Sequence, residues 1–254
     1  MGCHELFQYV VESDTGKIRE VNEDSVAVLK RPNGLLLAIV ADGMGGHKAG
    51  DVASKMAVDQ LSSYFLEDGE ETFSTLDNKK KWLSERVLMI NRSVYDHSME
   101  HLECKGMGTT LIAALIEGDE GLLCHIGDSR AYLIDGSIDQ ITRDHSYVNM
   151  LVDSGEISQE EAEVHPKKNW IVRALGTEAD IERELIRFSF AGASYLLICS
   201  DGLSNKIPKE ELASIVRSSA PLSQKGQELV TVANERGGED NISLVLLSSM
   251  DKEV

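Results

Sequence analysis

Residues 39–50 have the sequence "IVADGMGGHKAG", and this stretch carries the first signal of fold and function. An apolar run, residues 35–41, ends at Asp42, where a glycine-rich loop begins and leads into a helical pattern. A carboxylate at the end of an apolar strand is costly to bury unless it is paired or bound to a metal ion. The stretch therefore predicts a carboxylate with a specific task at the end of a buried strand.

The composition indicates a globular protein that repels polyanions. The chain has 254 residues, of which 42% are hydrophobic, and its net charge is -18. This length suits one large domain or two small ones, and the acidic balance argues against nucleic acid and anionic membranes as partners. No apolar run reaches 18 residues, so the sequence predicts no membrane span. No C-x-x-C pair occurs among Cys3, Cys104, Cys124 and Cys199, and a chain of this size does not need disulfides for stability. We therefore expect reduced thiols and a cytoplasmic location.

Hydrophobic periodicity divides the chain into short strands and paired helices. Residues 25–30 and 35–41 are a predicted hairpin around "RPNG", and residues 109–142 have the pattern of a β-meander. Because helices come in pairs between groups of strands, the pattern favours antiparallel sheets with helices outside over a doubly wound parallel sheet. The further predicted elements are helices at 49–66, 81–99, 208–217 and 221–235 and strands at 193–200 and 241–248.

Four aspartates, far apart in the sequence, lie at the ends of predicted apolar strands: Asp42, Asp128, Asp201 and Asp240. If these strand ends converge, the carboxylates form a cage of hard oxygen ligands that suits Mg²⁺ or Mn²⁺. No cluster of cysteine and histidine competes for zinc.

Asp-Gly is also the most common turn signal of hairpins. For Asp135-Gly136 we favour the turn, because short alternating strands flank it. Asp42 and Asp201 are each followed by a loop and a helix rather than by a partner strand. Spacing alone leaves the metal cage and the ordinary turn open at these two positions.

Seven segments in a fixed order resemble the successive motifs of a known family, and they extend over nearly the whole chain. The family is that of the metal-dependent PPM, or type 2C, serine/threonine protein phosphatases, in their compact bacterial form. The segments are "SDTGKIREVNEDS" (13–25), "VADGMGGHKAG" (40–50), "MGTTL" (107–111), "HIGDSRAYL" (125–133), "DHS" (144–146), "LICSDGL" (197–203) and "EDNISLV" (239–245).

The resemblance implies an α+β fold, an α-β-β-α sandwich in which two antiparallel sheets pack face to face with helix pairs outside. It further implies one phosphatase domain over residues 1–254, with a flap subdomain at about 145–180 that helps to choose substrates. We expect a monomer whose partners are proteins phosphorylated on serine or threonine, with a eukaryotic-like Ser/Thr kinase as the opposing enzyme.

The family pattern also assigns roles to residues of the proposed centre. Asp42 matches the carboxylate that bridges two Mn²⁺ or Mg²⁺ ions, and Gly43 matches the residue whose carbonyl binds the second ion. Asp201 and Asp240 match the remaining ligands of the first ion. Asp128, together with Asp201, matches a third and weaker ion site of bacterial members.

The remaining candidates lie in the segment before the hairpin and in the loop after Asp42. Glu23 matches a position near the second ion, and Asp24 is expected to support it, directly or through water. Arg19 matches the phosphate-binding arginine, whose planar guanidinium suits bidentate contact with a phosphate. Where many relatives have a histidine thought to protonate the leaving group, this chain has Met44, and His47 is a weaker candidate for that acid.

The implied chemistry is direct hydrolysis. Two ions that share a bridging water lower its pKa, and the resulting hydroxide attacks the phosphorus of phosphoserine or phosphothreonine in line, without a phosphoenzyme. A regulatory domain that binds phosphoproteins without cleaving them is the non-enzymatic alternative, and the complete set Asp42, Asp201 and Asp240 argues against it.

A second enzymatic alternative comes from "CHIGDSR" (124–130), which fits the C-x-x-G-x-x-R loop of cysteine-dependent phosphatases. In that chemistry a thiolate attacks phosphorus. Such a loop should lead into a helix whose N-terminus holds the anion. Here Arg130 leads into the strand pattern "AYLIDGS", so Cys124 is better interpreted as a small buried hydrophobic residue.

Overall fold

The computed structural model describes residues 7–45 and 49–249 of the chain. Cys3 and the proposed acid His47 therefore lie outside the described residues. The strands of the described part are β1 (Phe7–Asp14), β2 (Asp24–Lys30), β3 (Leu36–Met44), β4 (Gly108–Thr109), β5 (Leu111–Glu117), β6 (Glu120–Ile126), β7 (Arg130–Ile134), β8 (Ile138–Gln140), β9 (Glu184–Ser189), β10 (Tyr195–Cys199) and β11 (Ile242–Ser249). The helices are α1 (Gly50–Glu67), α2 (Leu76–Glu100), α3 (Tyr147–Asp153), α4 (Gln159–Val164), α5 (Asp201–Ser204), α6 (Lys209–Val216) and α7 (Leu222–Glu235).

The strands form two antiparallel sheets. One sheet has the order β1-β11-β10-β7-β8, and the other has the order β2-β3-β5-β6-β9, with the short strand β4 paired to β3. The predicted hairpin is confirmed, since all of β2 pairs antiparallel with residues 36–42 of β3. The turn at Asp135 is also confirmed, because Asp135 joins β7 to β8 and its N–H donates to the carbonyl of Ser137 at 2.9 Å.

The two faces of each sheet bury different layers, because successive side chains of a strand point to opposite faces. In β3, Leu37 and Ile39 pack with residues of α1 and α2, whereas Ala38 and Val40 pack with side chains of the other sheet. A third apolar layer joins the outer face of the first sheet to α5, α6 and α7. The layers are therefore helix, sheet, sheet and helix, which confirms the predicted α-β-β-α sandwich and its α+β class.

Local sequence signals determine where the helices begin. The hydroxyl of Thr75 accepts a hydrogen bond from the Asn78 N–H at 3.1 Å at the start of α2. Ser158 and Glu161 form a capping box at the start of α4, in which each side chain accepts a hydrogen bond from the other residue's N–H. Such caps satisfy N–H groups that have no partner inside the helix.

Residues 145–180 contain α3, α4 and connecting loops, and they return to the body of the protein. An isolated antiparallel bridge pairs Ser146 with Ile171, and the backbone of Leu175 exchanges hydrogen bonds with that of Thr109 at 2.8 and 2.9 Å. Within residues 7–45 and 49–249, no helix is long and apolar enough to cross a membrane.

Candidate metal centre

Five aspartates lie at one edge of the two sheets. Asp24 and Asp42 are directly opposite each other in the β2–β3 ladder. Asp201 follows β10 as the first residue of α5, Asp240 lies two residues before β11, and Asp128 lies in the loop that carries the chain from β6 to β7. Because β10 and β11 are neighbours in one sheet and β2 and β3 are neighbours in the other, this edge brings together residues separated by more than half of the chain.

One detail of the strand prediction needs correction. Asp42 is not the end of its strand, because β3 continues through Gly43 and Met44 and pairs there with β4. Thr110 holds the backbone of Asp42 with two hydrogen bonds. The Asp42 N–H donates to the Thr110 hydroxyl at 2.9 Å, and the Asp42 carbonyl accepts from the Thr110 N–H at 2.8 Å. The backbone after Asp42 is therefore extended and part of a sheet, although the glycines at these positions predicted a loop.

The glycines after the two central aspartates allow close backbone approach rather than a hairpin turn. A Cβ atom on Gly43 would lie 2.1 Å from the carbonyl oxygen of Gly50 and 2.4 Å from that of Glu23. A Cβ atom on Gly202 would lie 2.0 Å from the carbonyl oxygen of Asn241. A larger residue at either position would therefore separate the segments that carry the carboxylates.

Two polar residues that the sequence prediction did not single out link these segments. The Asn241 side-chain oxygen accepts from the Glu23 N–H at 2.8 Å, and its Nδ2 donates to the carbonyls of Thr15 and Val21 at 2.9 and 3.0 Å. The Ser200 hydroxyl donates to Asp24 Oδ2 at 2.8 Å and thereby connects the two sheets. In the sequence, the only indication of these roles is that Asn241 follows Asp240 and that Ser200 precedes Asp201.

Burial raises the pKa of most carboxyl groups in the cluster. It raises the pKa of Asp24 to about 7, that of Asp128 to about 8 and that of Asp201 to about 6. The pKa of Asp42 lies well above its usual value, first because of burial and then because of repulsion from Asp24, Asp201, Asp128 and Asp240. Ionisation of these carboxyl groups is therefore energetically unfavourable, and a bound cation would offset that unfavourable energy.

The donor atoms fit a hard divalent cation. The groups at this edge are carboxylate and carbonyl oxygens, which Mg²⁺ and Mn²⁺ prefer. Asp24 Oδ1 and Asp128 Oδ1 are two of the eight side-chain atoms in the described residues that are buried without a hydrogen-bond partner. A buried oxygen of this kind needs a partner, and an ion or its water would provide one.

Arg19 and Glu23 lie at the mouth of the cluster. Arg19 Nη2 is 3.0 Å from Asp240 Oδ2, and Arg19 Nη1 is 3.8 Å from Glu23 Oε2. Burial raises the pKa of Glu23, while Arg19 and the N–H of Gly50 at the start of α1 act in the opposite direction. The guanidinium is half-exposed, so it lies beside the carboxylates and still faces solvent.

The cysteine-dependent alternative is wrong. Cys124 is fully buried in β6, and burial raises the pKa of its thiol to about 12, so no thiolate forms near neutral pH. Arg130 begins the strand β7 rather than a helix and makes a two-nitrogen ion pair with Asp144, at 2.7 Å for the closest contact. Neither the nucleophile nor the anion site of that mechanism exists here.

A second group of possible ligands consists of His125, His145 and Glu184, whose ligand-type atoms lie within 4.8 Å of one another. Two features oppose a metal ion there. His145 Nδ1 accepts a hydrogen bond from the Gly127 N–H at 3.1 Å, so in the neutral ring Nε2 carries the proton and has no free lone pair. The rings of His125 and His145 stack at 4.6 Å, so their in-plane lone pairs do not converge on one point. We assign no metal to this group.

Comparison with known proteins agrees with the geometry of the edge. Residues 17–246 match the family model described as Protein phosphatase 2C. This chain belongs to that family. It is 41% identical to the serine/threonine phosphatase stp of Listeria monocytogenes over 236 residues, which cover 92% of this chain and 93% of the relative.

Solved structures of type 2C phosphatases share the fold. The serine/threonine phosphatase Stp1 from Staphylococcus aureus superposes with a TM-score of 0.90 at 35% identity, with 98% of each chain covered. The catalytic domain of the phosphatase PstP, solved in complex with 2 manganese ions, superposes with a TM-score of 0.81 at 35% identity, with 96% of this chain and 99% of that chain covered. The sequence prediction of a metal-dependent serine/threonine protein phosphatase is confirmed.

Proposed function

We propose that this type 2C phosphatase hydrolyses phosphoserine and phosphothreonine in proteins at the carboxylate edge. In this proposal Asp42, Asp201 and Asp240 would hold the first of two divalent ions, and Asp42 and the Gly43 carbonyl would hold the second. The observation that carries the proposal is the convergence of carboxyl groups from both sheets at one edge, because near neutral pH a divalent cation at their centre would offset the burial and mutual repulsion that raise their pKa values.

Glu23, Asp24 and Asp128 complete the proposed centre. Glu23 directly precedes β2, its carboxylate accepts a hydrogen bond from the Gly50 N–H at the start of α1, and it would contribute to the second ion. Asp24 acts through water, and its bond from Ser200 holds it in place. Asp128 contributes, with Asp201, to a third ion, and its unpartnered Oδ1 supports that role. When bound, Mn²⁺ or Mg²⁺ supplies Lewis-acid stabilisation of phosphate charge and lowers the pKa of water.

Arg19 is the proposed phosphate-binding side chain. Its guanidinium lies beside Asp240 and Glu23 at the mouth of the cluster. A phosphate oxygen that is not bound to the ions would be within reach there. Arginine binds phosphate oxygens with two parallel hydrogen bonds, so it would orient the phosphorus as well as attract the dianion. His47 remains a hypothesis for the acid that protonates the leaving serine or threonine oxygen.

We propose residues 145–180 as a flap that contributes to substrate choice within a single domain of residues 1–254. A cleft of about 820 Å³ separates this segment from the start of α6, and its lining includes Arg143, Lys168, Asn205 and Lys209. Asn205 Nδ2 donates to Asp201 Oδ2 at 3.0 Å, so the cleft adjoins the metal centre. A protein segment bound there would place its phosphorylated residue near the ions.

Three further statements complete the proposed setting of the enzyme. We propose that it acts as a monomer, that it opposes a eukaryotic-like Ser/Thr kinase, and that it works in the cytoplasm. In the described part of the chain Cys104, Cys124 and Cys199 are buried free thiols, which supports a reducing compartment.

A metal titration with a matched pair of variants tests the proposal. After treatment with EDTA the full chain should not release phosphate from a phosphothreonine peptide, and added Mn²⁺ should restore turnover. Asp42→Asn should abolish both Mn²⁺ binding in calorimetry and turnover. Asp135→Asn removes the same charge from another Asp-Gly pair, at a turn between β7 and β8, and should change neither. Binding of the peptide without phosphate release in Mn²⁺ would instead identify a non-catalytic phosphoprotein-binding domain.

A further inference from the structure

Two hydrogen bonds join Gly127, in the loop before Asp128, to His145, the first residue of the flap. The His145 N–H donates to the Gly127 carbonyl at 2.8 Å, and the Gly127 N–H donates to the imidazole Nδ1 of His145 at 3.1 Å. The first bond needs only backbone. The second needs an acceptor at one particular place on the side chain of residue 145.

The loop that receives these bonds is closely confined on its other side. Gly127 has a φ of +105°, and a Cβ atom on it would lie 2.6 Å from Thr110 Cγ2. The hydroxyls of Thr110 and Ser129 are 2.7 Å apart, and Thr110 also holds the backbone of Asp42. The loop is thus packed between Thr110 and His145, which flank the backbone that carries the buried Asp128.

The ring of His145 is itself fixed in place. Its side chain is 11% exposed, it stacks on the buried ring of His125 at 4.6 Å, and its Nε2 lies 3.8 Å from Glu184 Oε2. The His145 carbonyl accepts the N–H of Val172 at 2.9 Å, which joins the first residue of the flap to its second half. The position of the flap and the position of the Asp128 loop are therefore mechanically connected through one residue.

We propose that His145 is a positioning residue for the third ion: its Nδ1 holds the Gly127 N–H and thereby aims the Asp128 carboxylate, which couples the flap to that ion. The inference rests on the third-ion role of Asp128 given above. His145 does not contact the ion, the phosphate or the reacting atoms. It acts through the backbone of Gly127.

A pair of amide variants tests the position of the acceptor. The Oδ1 of asparagine occupies nearly the place of imidazole Nδ1, whereas the amide of glutamine reaches the place of Nε2. His145→Asn should keep the bond to Gly127 and bind the weaker Mn²⁺ ion with the parent's affinity in calorimetry. His145→Gln should lose it and bind that ion roughly 3- to 10-fold more weakly, which is the usual effect of one lost hydrogen bond.

Amide hydrogen exchange and a direct control complete the experiment. The Gly127 amide should exchange faster in His145→Gln than in His145→Asn, while the tight pair of Mn²⁺ ions stays bound in both. Equal weak-ion affinity in the two variants, whether both match the parent or both lose the ion, would overturn the positioning role. Asp128→Ala tests the underlying assumption separately: if it leaves the weaker ion in place, the proposed role of Asp128 fails, whatever the His145 variants do.

Discussion

The space between the two sheets has two contrasting parts. Over most of its area it is filled by fully buried apolar side chains such as Ile198, Val245 and Leu247. At one edge it ends in carboxylates, among which Asp24 faces Asp42 across a ladder. The same antiparallel framework therefore supports a region that stabilises the fold and a region that lowers its stability.

The contrast shows which part of the fold contributes stability and which part lowers stability in order to carry the functional groups. Each apolar side chain buried between the sheets contributes about 1.5–3 kcal/mol, whereas clustered buried carboxylates repel one another and lose hydration. The apolar part fixes the strand ends that carry the carboxylates, and a bound cation would offset the repulsion among them.

The largest expected effect comes from neutralising the centre of the carboxylate edge. Asp42→Asn should lower kcat/KM by about 10³-fold or more, because loss of Lewis-acid stabilisation removes several kcal/mol from the transition state. The metal-free variant should melt at a higher temperature than the metal-free parent, because the amide replaces a carboxyl group whose ionisation is opposed by burial and by the neighbouring carboxylates. A lower melting temperature, measured by calorimetry in EDTA, would show that the carboxylates do not strain the fold.

The pH dependence of stability should reverse when metal is added. In the metal-free fold Asp201, Asp24 and Asp128 have pKa values of about 6, 7 and 8, above the value of about 4 in the unfolded chain. The folded state therefore holds protons that the unfolded state releases, so this contribution is complete below about pH 4 and is lost as pH rises through 6 to 8. Urea unfolding in EDTA should show lower stability at pH 8 than at pH 5. Saturating Mn²⁺, which binds the deprotonated groups, should invert that order.

The apolar region should respond in the opposite way to the edge. Leu247→Ala removes a fully buried side chain of β11 and should lower the free energy of unfolding by about 2–5 kcal/mol. Its kcat/KM in saturating Mn²⁺ should stay within about twofold of the parent at 25 °C, since the folded fraction remains high. A large loss of Mn²⁺ affinity in this variant would mean that the two regions are not separable.

Arg19 distinguishes phosphate binding from metal binding at the mouth of the edge. Arg19→Ala should leave Mn²⁺ affinity unchanged or slightly higher, because one nearby cation is removed from Asp240 and Glu23. It should lower kcat/KM for a phosphopeptide by about one to two decades, chiefly through KM, since a charge-assisted hydrogen bond contributes roughly 1.5–3 kcal/mol. Arg19→Lys should recover part of the loss. If the alanine variant stays within about twofold of the parent, Arg19 does not bind the phosphate.

The smallest effect is expected from thiol chemistry inside the apolar layers. Iodoacetamide at pH 7.5 should change turnover by less than about twofold, because Cys124 and Cys199 are buried and burial raises the pKa of each thiol to about 12. Mass spectrometry should show both residues unmodified in the folded protein. Inactivation that follows modification of Cys124 would contradict the assignment of the chemistry to the carboxylate edge.

Much of this molecule could be predicted from the sequence. Alternating apolar residues and paired helical stretches predict antiparallel sheets with helices outside, and the hairpin at 25–41 and the turn at Asp135 follow from the same local rules. The ordered motifs predict the family, because seven short segments rarely occur together in that order by chance. Local pattern sufficed here since strand and turn preferences act over a few residues.

Other features depended on neighbours that are distant in the chain. The sequence showed Asp-Gly pairs, but only the fold shows that Gly43 and Gly202 are required by backbone from residues 50 and 241. Similarly, nothing near "DHS" indicates that His145 accepts the Gly127 N–H, or that Asn241 holds Glu23. Close backbone approach and hydrogen bonding are set by atoms that meet only after folding.

The sequence by itself determined which residue types stand at the strand ends and therefore which chemistry is possible. Only the tertiary structure decided that Asp24, Asp42, Asp128, Asp201 and Asp240 share one edge, where burial and neighbouring carboxylates raise the pKa values of the first four. The physical reason is range: apolar patterning acts along a few residues, whereas electrostatic coupling and desolvation depend on distances of a few ångströms between segments as far apart in the chain as Asp24 and Asp240.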